Sequence, residues 1–128
     1  MATRRYRAAT PRFGARSDSP HMHYVEINAR FLDDLRRLPA RVQERVSAVL
    51  NDVLPLEPQP PNLDIRAMKG HPPWLRLRVG DWRIVFRPLT QRELRAIRHR
   101  EGSFFARGYY IQRVVNRREL DRVSKKLR

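Results

Sequence analysis

The chain has 128 residues, 28 Lys plus Arg against 13 Asp plus Glu, a formal charge of +15, and no cysteine. That length suits one compact domain with a modest core. The missing thiols exclude disulfides, thiolate metal sites and cysteine nucleophiles, in keeping with a reducing, cytoplasmic compartment. No apolar run approaches the roughly 20 residues of a membrane span, so no membrane partner is expected.

The charge is segregated. Residues 1–22 hold five basic and one acidic residue, residues 23–75 hold seven of each, and residues 76–128 hold sixteen basic and five acidic, leaving that last stretch at +11. A surface that only keeps a protein solvated mixes its signs. This field points instead to a polyanion or an acidic protein.

Residues 1–22 show no apolar periodicity and are expected to be a disordered basic N-terminal arm, leaving a folded domain over residues 23–128. The arm is Arg-rich and acid-poor, a composition shared with organellar transit peptides; it is read here as lying outside the fold. YVEIN (24–28) alternates and predicts a strand. Asn28 can cap a helix carrying Phe31, Leu32, Leu35 and Leu38. Pro39 ends it and opens a second helix, with Val42, Val46, Val49, Leu50, Val53 and Leu54 in one stripe. The short break makes the two an antiparallel helical hairpin. PLEPQPPNLD (55–64) is a Pro-rich connector. Within 88–108, TQRE (90–93) fits a capping box and a short helix. A strand then runs from Tyr109 to Val115, and a last helix from about Arg117 to Leu127.

The informative stretch is LRLRVGDWRIVF (75–86). With Gly80-Asp81 as a two-residue turn, Val79 pairs with Trp82, Arg78 with Arg83 and Leu77 with Ile84. Alternation puts Leu75, Leu77, Val79, Trp82, Ile84 and Phe86 on one face and Arg76, Arg78, Arg83 and Arg87 on the other. The apolar face belongs against the helical hairpin, which gives an α+β layer. The other sets Arg78 opposite Arg83, a like-charge pair that destabilises by a few tenths of a kcal/mol or more. A docking polyanion resolves the conflict, because a guanidinium forks onto phosphate and stays charged at any working pH. NRRE (116–119) poses it again: Asn116 suits an N-cap and Glu119 a capping-box acid, but Arg117 and Arg118 oppose the helix dipole unless an anion binds there.

No Gly-rich phosphate loop, HExxH or GxSxG occurs. His21, His23, His71 and His99 lack metal-ligand spacing and read as surface residues. Trp74, Tyr109 and Tyr110 could stack on bases, although packing is the commoner use of each.

FLDDLRRLPARVQERV, then MKGHPPWLRLRVGDWRIVF and a terminal VVNRREL, resembles the RelE/ParE superfamily of type II toxins across roughly residues 23–128. The resemblance implies an N-terminal strand and helical hairpin on a small antiparallel sheet, with a C-terminal helix. RelE-like members cut messenger RNA on the ribosome, whereas ParE-like members poison DNA gyrase. Both are held inactive by a cognate antitoxin, expected here to be acidic, and meet operator DNA only through it. By position the resemblance assigns catalysis to Arg78, Arg83 and Arg76 and the terminal RNA-binding arginine to Arg117 or Arg118, with no metal or cofactor. Lys69 and Tyr110 are added as RNA-binding candidates, Tyr110 or Tyr109 as a substitute for a missing tyrosine and Lys69 as a proton source. Where the ribonucleases often carry a terminal tyrosine, this chain has Leu120-Asp121. The leading expectation is therefore a RelE-like ribosome-dependent endoribonuclease acting on ribosome-bound mRNA. Alternatives are a ParE-like gyrase poison and a toxin-derived module that binds nucleic acid without cutting it.

Overall fold

The Gly80-Asp81 turn forms as its sequence predicts. Gly80 takes φ 60 and among the described residues no non-Gly residue has positive φ, so only the first central position of the turn needs the left-handed region, where glycine has no Cβ penalty. The register is Val79 to Trp82, Arg78 to Arg83, Leu77 to Ile84, Arg76 to Val85 and Leu75 to Phe86. This hairpin sits within a larger sheet.

The computed structural model describes residues 3–4, 23–56 and 59–127. The strands are β1 (Thr3–Arg4), β2 (Tyr24–Asn28), β3 (Ile65–Ala67), β4 (Leu75–Val79), β5 (Trp82–Pro88) and β6 (Gly108–Asn116). They form one six-stranded sheet in the order β1-β2-β6-β5-β4-β3. β2 runs parallel to β6, and every other neighbouring pair is antiparallel. The sheet is thus mixed where an antiparallel one was expected. The expected arm, residues 1–22, lies outside the described residues except for Thr3 and Arg4.

The helices are α1 (Ala29–Arg36), α2 (Ala40–Ala48, followed by a π-helical turn over Val49–Val53), α3 (Gln91–Glu101) and α4 (Leu120–Ser124). Asn28 caps α1 as predicted, its Oδ1 accepting from the Arg30 backbone N–H at 2.7 Å. Phe31, Val46, Leu50 and Leu54 are buried from the helical side against Ile27, Leu77, Ile84, Phe86, Ile111 and Val114 of the sheet. An Arg113–Asp34 ion pair at 2.7 Å fastens α1 to β6, and the same carboxylate accepts from the Val114 backbone N–H at 3.1 Å.

Four local expectations are corrected. β3 was not anticipated; three residues, Ile-Arg-Ala, are too few to show a period. The helix after Thr90 is eleven residues long rather than short. The C-terminal helix is a 3-10 turn over Arg117–Glu119 and then only Leu120–Ser124. His23 is buried, its ring 5.7 Å from that of Tyr109, and is no surface residue.

A fifth finding shapes the site. The sheet face carrying the arginines is not open throughout. Val85 lies on it at 0% exposure and packs with Met68, Trp74, Val115 and Val123, while Leu120 and Leu127 close the edge. The C-terminal helix therefore covers the middle of this face. The arginines emerge around a small second core.

Candidate functional site at the hairpin tip

At the tip of the hairpin, cations converge on backbone carbonyls. Arg78 Nε donates to the Gly80 carbonyl at 3.3 Å, and Arg83 Nη1 donates to the same oxygen at 2.9 Å and to the Trp82 carbonyl at 3.0 Å. Two guanidinium groups thus share one partial negative charge. The Arg117 backbone N–H donates to the Asp81 carbonyl at 2.9 Å, which pins the start of the C-terminal turn to the same tip. From α2, the Arg45 guanidinium closes in on Gly80: a Cβ there would sit 3.2 Å from Nη1. Burial lowers the Arg83 pKa, and the neighbouring Arg76, Arg78 and Arg117 lower it further, with Asp64 opposing. The guanidinium stays charged at neutral pH, so the tip is a concentrated positive field.

Beside the tip lies Arg76, opposite Val85. Its side chain is only 21% exposed, and its nearest carboxylate oxygen, Asp64 Oδ1, is 3.9 Å from Nη1, too far for a hydrogen bond. That Nη1 is buried and has no hydrogen-bond partner. Burying an unmet donor costs roughly 1–3 kcal/mol, more when it is charged. Arg76 lines a cavity of about 180 Å³ together with Lys69, His71, Leu120, Asp121 and Ser124. A phosphate oxygen entering there would meet a guanidinium that the fold already holds largely out of solvent.

The structure gathers some of the expected site residues and separates others. Arg76, Arg78, Arg83 and Arg117 share the tip, and Lys69 joins them through the cavity. Asn116 does cap the terminal turn, accepting from the Arg118 backbone N–H at 3.1 Å. Glu119 does not complete the expected capping box; its carboxylate binds Arg122 at 2.7 Å. With only three 3-10 residues and five α-helical ones behind it, that terminus has little dipole, so Arg117 and Arg118 conflict with it less than their sequence suggests.

Tyr110 stands apart. It pairs with Arg87 across β5 and β6, its hydroxyl accepts from Asn28 Nδ2 at 2.7 Å, and its ring lies 4.7 Å beneath the Arg87 guanidinium. Arg87, placed by sequence on the arginine face, is itself spoken for: it binds Glu93 through two bonds of 2.9 Å and lies 5.6 Å from the Trp74 ring. Sequence reasoning missed Arg45 and the shared cavity of His71 and Asp121. Arg45 gives no local sign, because its contact with Gly80 spans 35 residues.

The family model described as ParE toxin of type II toxin-antitoxin system, parDE, matches residues 25–104. No curated protein matches the sequence. Among solved structures, the chain is similar to the crystal structure of the RelB-RelE antitoxin-toxin complex from Methanococcus jannaschii. The two are 19% identical with a TM-score of 0.46, over 76% of this chain and 95% of that one. Among the described residues no helix is long and apolar enough to cross a membrane.

Proposed function

The chain belongs to the ParE toxin family of type II toxin-antitoxin systems, and we propose, from the geometry of its arginine-lined tip, that it is a toxin that cleaves ribosome-bound messenger RNA. A cognate acidic antitoxin holds it in check. The observation that carries the reading is Arg76: a buried guanidinium nitrogen with no hydrogen-bond partner, beside a cavity that also offers Lys69, His71 and Asp121.

In this reading the RNA 2′-hydroxyl attacks the adjacent phosphorus. A new O–P bond forms, the bond to the 5′-oxygen breaks, and the products are a 2′,3′-cyclic phosphate and a 5′-hydroxyl. The extra negative charge of the transition state develops on the non-bridging oxygens, where Arg76, Arg78 and Arg83 supply fixed donors. Such preorganised stabilisation is usually the largest catalytic contribution. Asp121 is suited to accept the hydroxyl proton, and His71 or Lys69 to return one to the leaving oxygen. Arg117 and Arg118 extend the basic rim along the RNA backbone. Programmed ribosomes incubated with free toxin should yield cut mRNA; intact mRNA at saturating toxin would overturn the reading.

One observation favours a second reading. Asp121, in place of the tyrosine of RelE-like ribonucleases, cannot stack on a base and repels phosphate. A ParE-like gyrase poison needs neither property of that residue, and its arginines would serve only to dock. Supercoiling by gyrase in the presence of the toxin separates the two, since inhibition is expected from the second alone.

A further inference from the structure

Helix α3 carries a second basic surface that the hairpin tip does not use. It follows the far end of β5, seven residues and roughly 20 Å of strand from the turn. Its inner side is conventional: Leu94 and Ile97 pack on Tyr24 and Leu89, with Phe105 against them. Its outer side is not. Arg92, Arg95 and Arg98 are exposed at three-residue spacing, and among the described residues none of them forms an ion pair. The nearby carboxylates are committed elsewhere, Glu93 to Arg87 and both Glu26 and Glu101 to Arg100.

Helix-dipole compensation accounts for Arg98, His99 and Arg100 in the last turn, but not for Arg92 in the first or Arg95 in the middle. Arg95, Arg98, His99 and Gly102 line an open groove of about 520 Å³. At its edge the Arg98 guanidinium lies 5.4 Å from the ring of Phe104. Phe104 is 59% exposed and is the sole exposed large hydrophobic residue among those described.

We propose that this groove binds a single-stranded segment of nucleic acid, with phosphates on Arg92, Arg95 and Arg98 and a base stacked on Phe104. The choice of occupant follows from the apolar content. A protein partner, even an acidic one, needs a cluster of buried apolar anchors at the centre of its interface. Here there is one aromatic ring and no second anchor. Single-stranded nucleic acid needs only a cationic track and a π-face, because every base can stack and every link carries a charge. The site is separate from the cleavage machinery and does not depend on whether the toxin acts on RNA or on gyrase.

The test is fluorescence anisotropy of a labelled 12-nucleotide oligouridylate with the full chain, measured across a salt series. Cross-linking with 4-thiouridine and peptide mapping locate the contact. Cross-links at Phe104 are expected. Arg95→Ala with Arg98→Ala should flatten the slope of log K against log salt by about 1.4, the loss of two phosphate contacts at roughly 0.7 each. Phe104→Ala should weaken binding about tenfold, within the range for one stacked base. All three side chains are exposed, so melting temperatures should not move. Affinity and slope unchanged in both variants would overturn the proposal. So would retained oligonucleotide binding with lost capture of a poly-glutamate peptide, which would assign the groove to an acidic protein.

Discussion

Arg83 and Arg87 lie four residues apart on β5, point from the same face of the same strand, and have opposite fates. Arg87 is met by Glu93 through two bonds of 2.9 Å and flanked by the rings of Trp74 and Tyr110. The pairing raises its pKa, chiefly through the Glu93 hydrogen bonds. Among the described residues Arg83 hydrogen-bonds to backbone carbonyls and to no carboxylate, and its pKa is lowered by burial and by three other arginines, with Asp64 opposing. A guanidinium whose charge is answered within the fold contributes to stability. One held against like charges retains its attraction for an anion from outside. Residue type and strand position are the same in both; the supply of carboxylates differs.

The contrast breaks most sharply if function follows the unanswered charge. Arg83→Ala should lower mRNA cleavage about 100-fold, as expected for the loss of one preorganised donor to a transition-state oxyanion. Its melting temperature should stay within about 2 °C of the parent. A variant that unfolds would mean that its bonds to the turn carbonyls matter more than its charge.

Arg87→Ala should do the reverse. Deletion leaves the Glu93 carboxylate half-buried without its partner and removes two aromatic contacts, together about 2–3 kcal/mol. For a chain of this size that is roughly 10 °C of melting temperature. Cleavage by the folded fraction should be retained. Lost cleavage with an unchanged melting curve would move Arg87 into the functional set.

Glu93 sharpens the same contrast by pH. Its carboxyl is held at about 2, down from 4.5, first by the hydrogen bonds from Arg87 and then by those of the Thr90 cap. A depressed carboxylate stabilises the fold above its unfolded pKa, and the contribution is lost as pH falls toward the folded value, here between about 4.5 and 2. Because 34% of the Glu93 side chain faces water, screening leaves about 1–2 kcal/mol of this. Urea denaturation at pH 7, 4 and 3 should show parent stability falling toward that of Glu93→Gln. Parallel curves at all three values would mean that the pair contributes nothing.

How much of this was legible in the sequence divides along the same line. The hairpin register, the Asn28 cap and the Thr90 capping box were readable because turn chemistry and side-chain alternation are local. The capping box even named Glu93, but nothing local says that its carboxylate also reaches back six residues to Arg87. For the same reason Tyr110 could be read as a base-stacking residue, although its hydroxyl is taken by Asn28, 82 positions away. The burial of Val85 was hidden by the alternation itself: an apolar residue on a basic face makes sense only once the C-terminal helix is placed over it.

The smallest effect tests whether the unanswered charges cost the fold anything. Arg78 and Arg83 are directly paired across β4 and β5, and both donate to the Gly80 carbonyl. Charge reversal, Arg78→Glu, turns a repulsive cross-strand pair into an attractive one. Such pairs are worth roughly 0.2–1 kcal/mol, so a gain of about 0.5 kcal/mol, or about 2 °C, is expected. The hydrogen bond that Arg78 loses is long at 3.3 Å, and Arg83 still satisfies the carbonyl at 2.9 Å. Salt separates charge from geometry. The relevant side chains are near the surface, so at 1 M ionic strength a Debye length of about 3 Å should remove most of the gain. A gain that persists at high salt would come from strand propensity or packing instead. A loss at low salt would mean that the arginine pair is answered within the fold after all, and that the difference between Arg83 and Arg87 is one of degree.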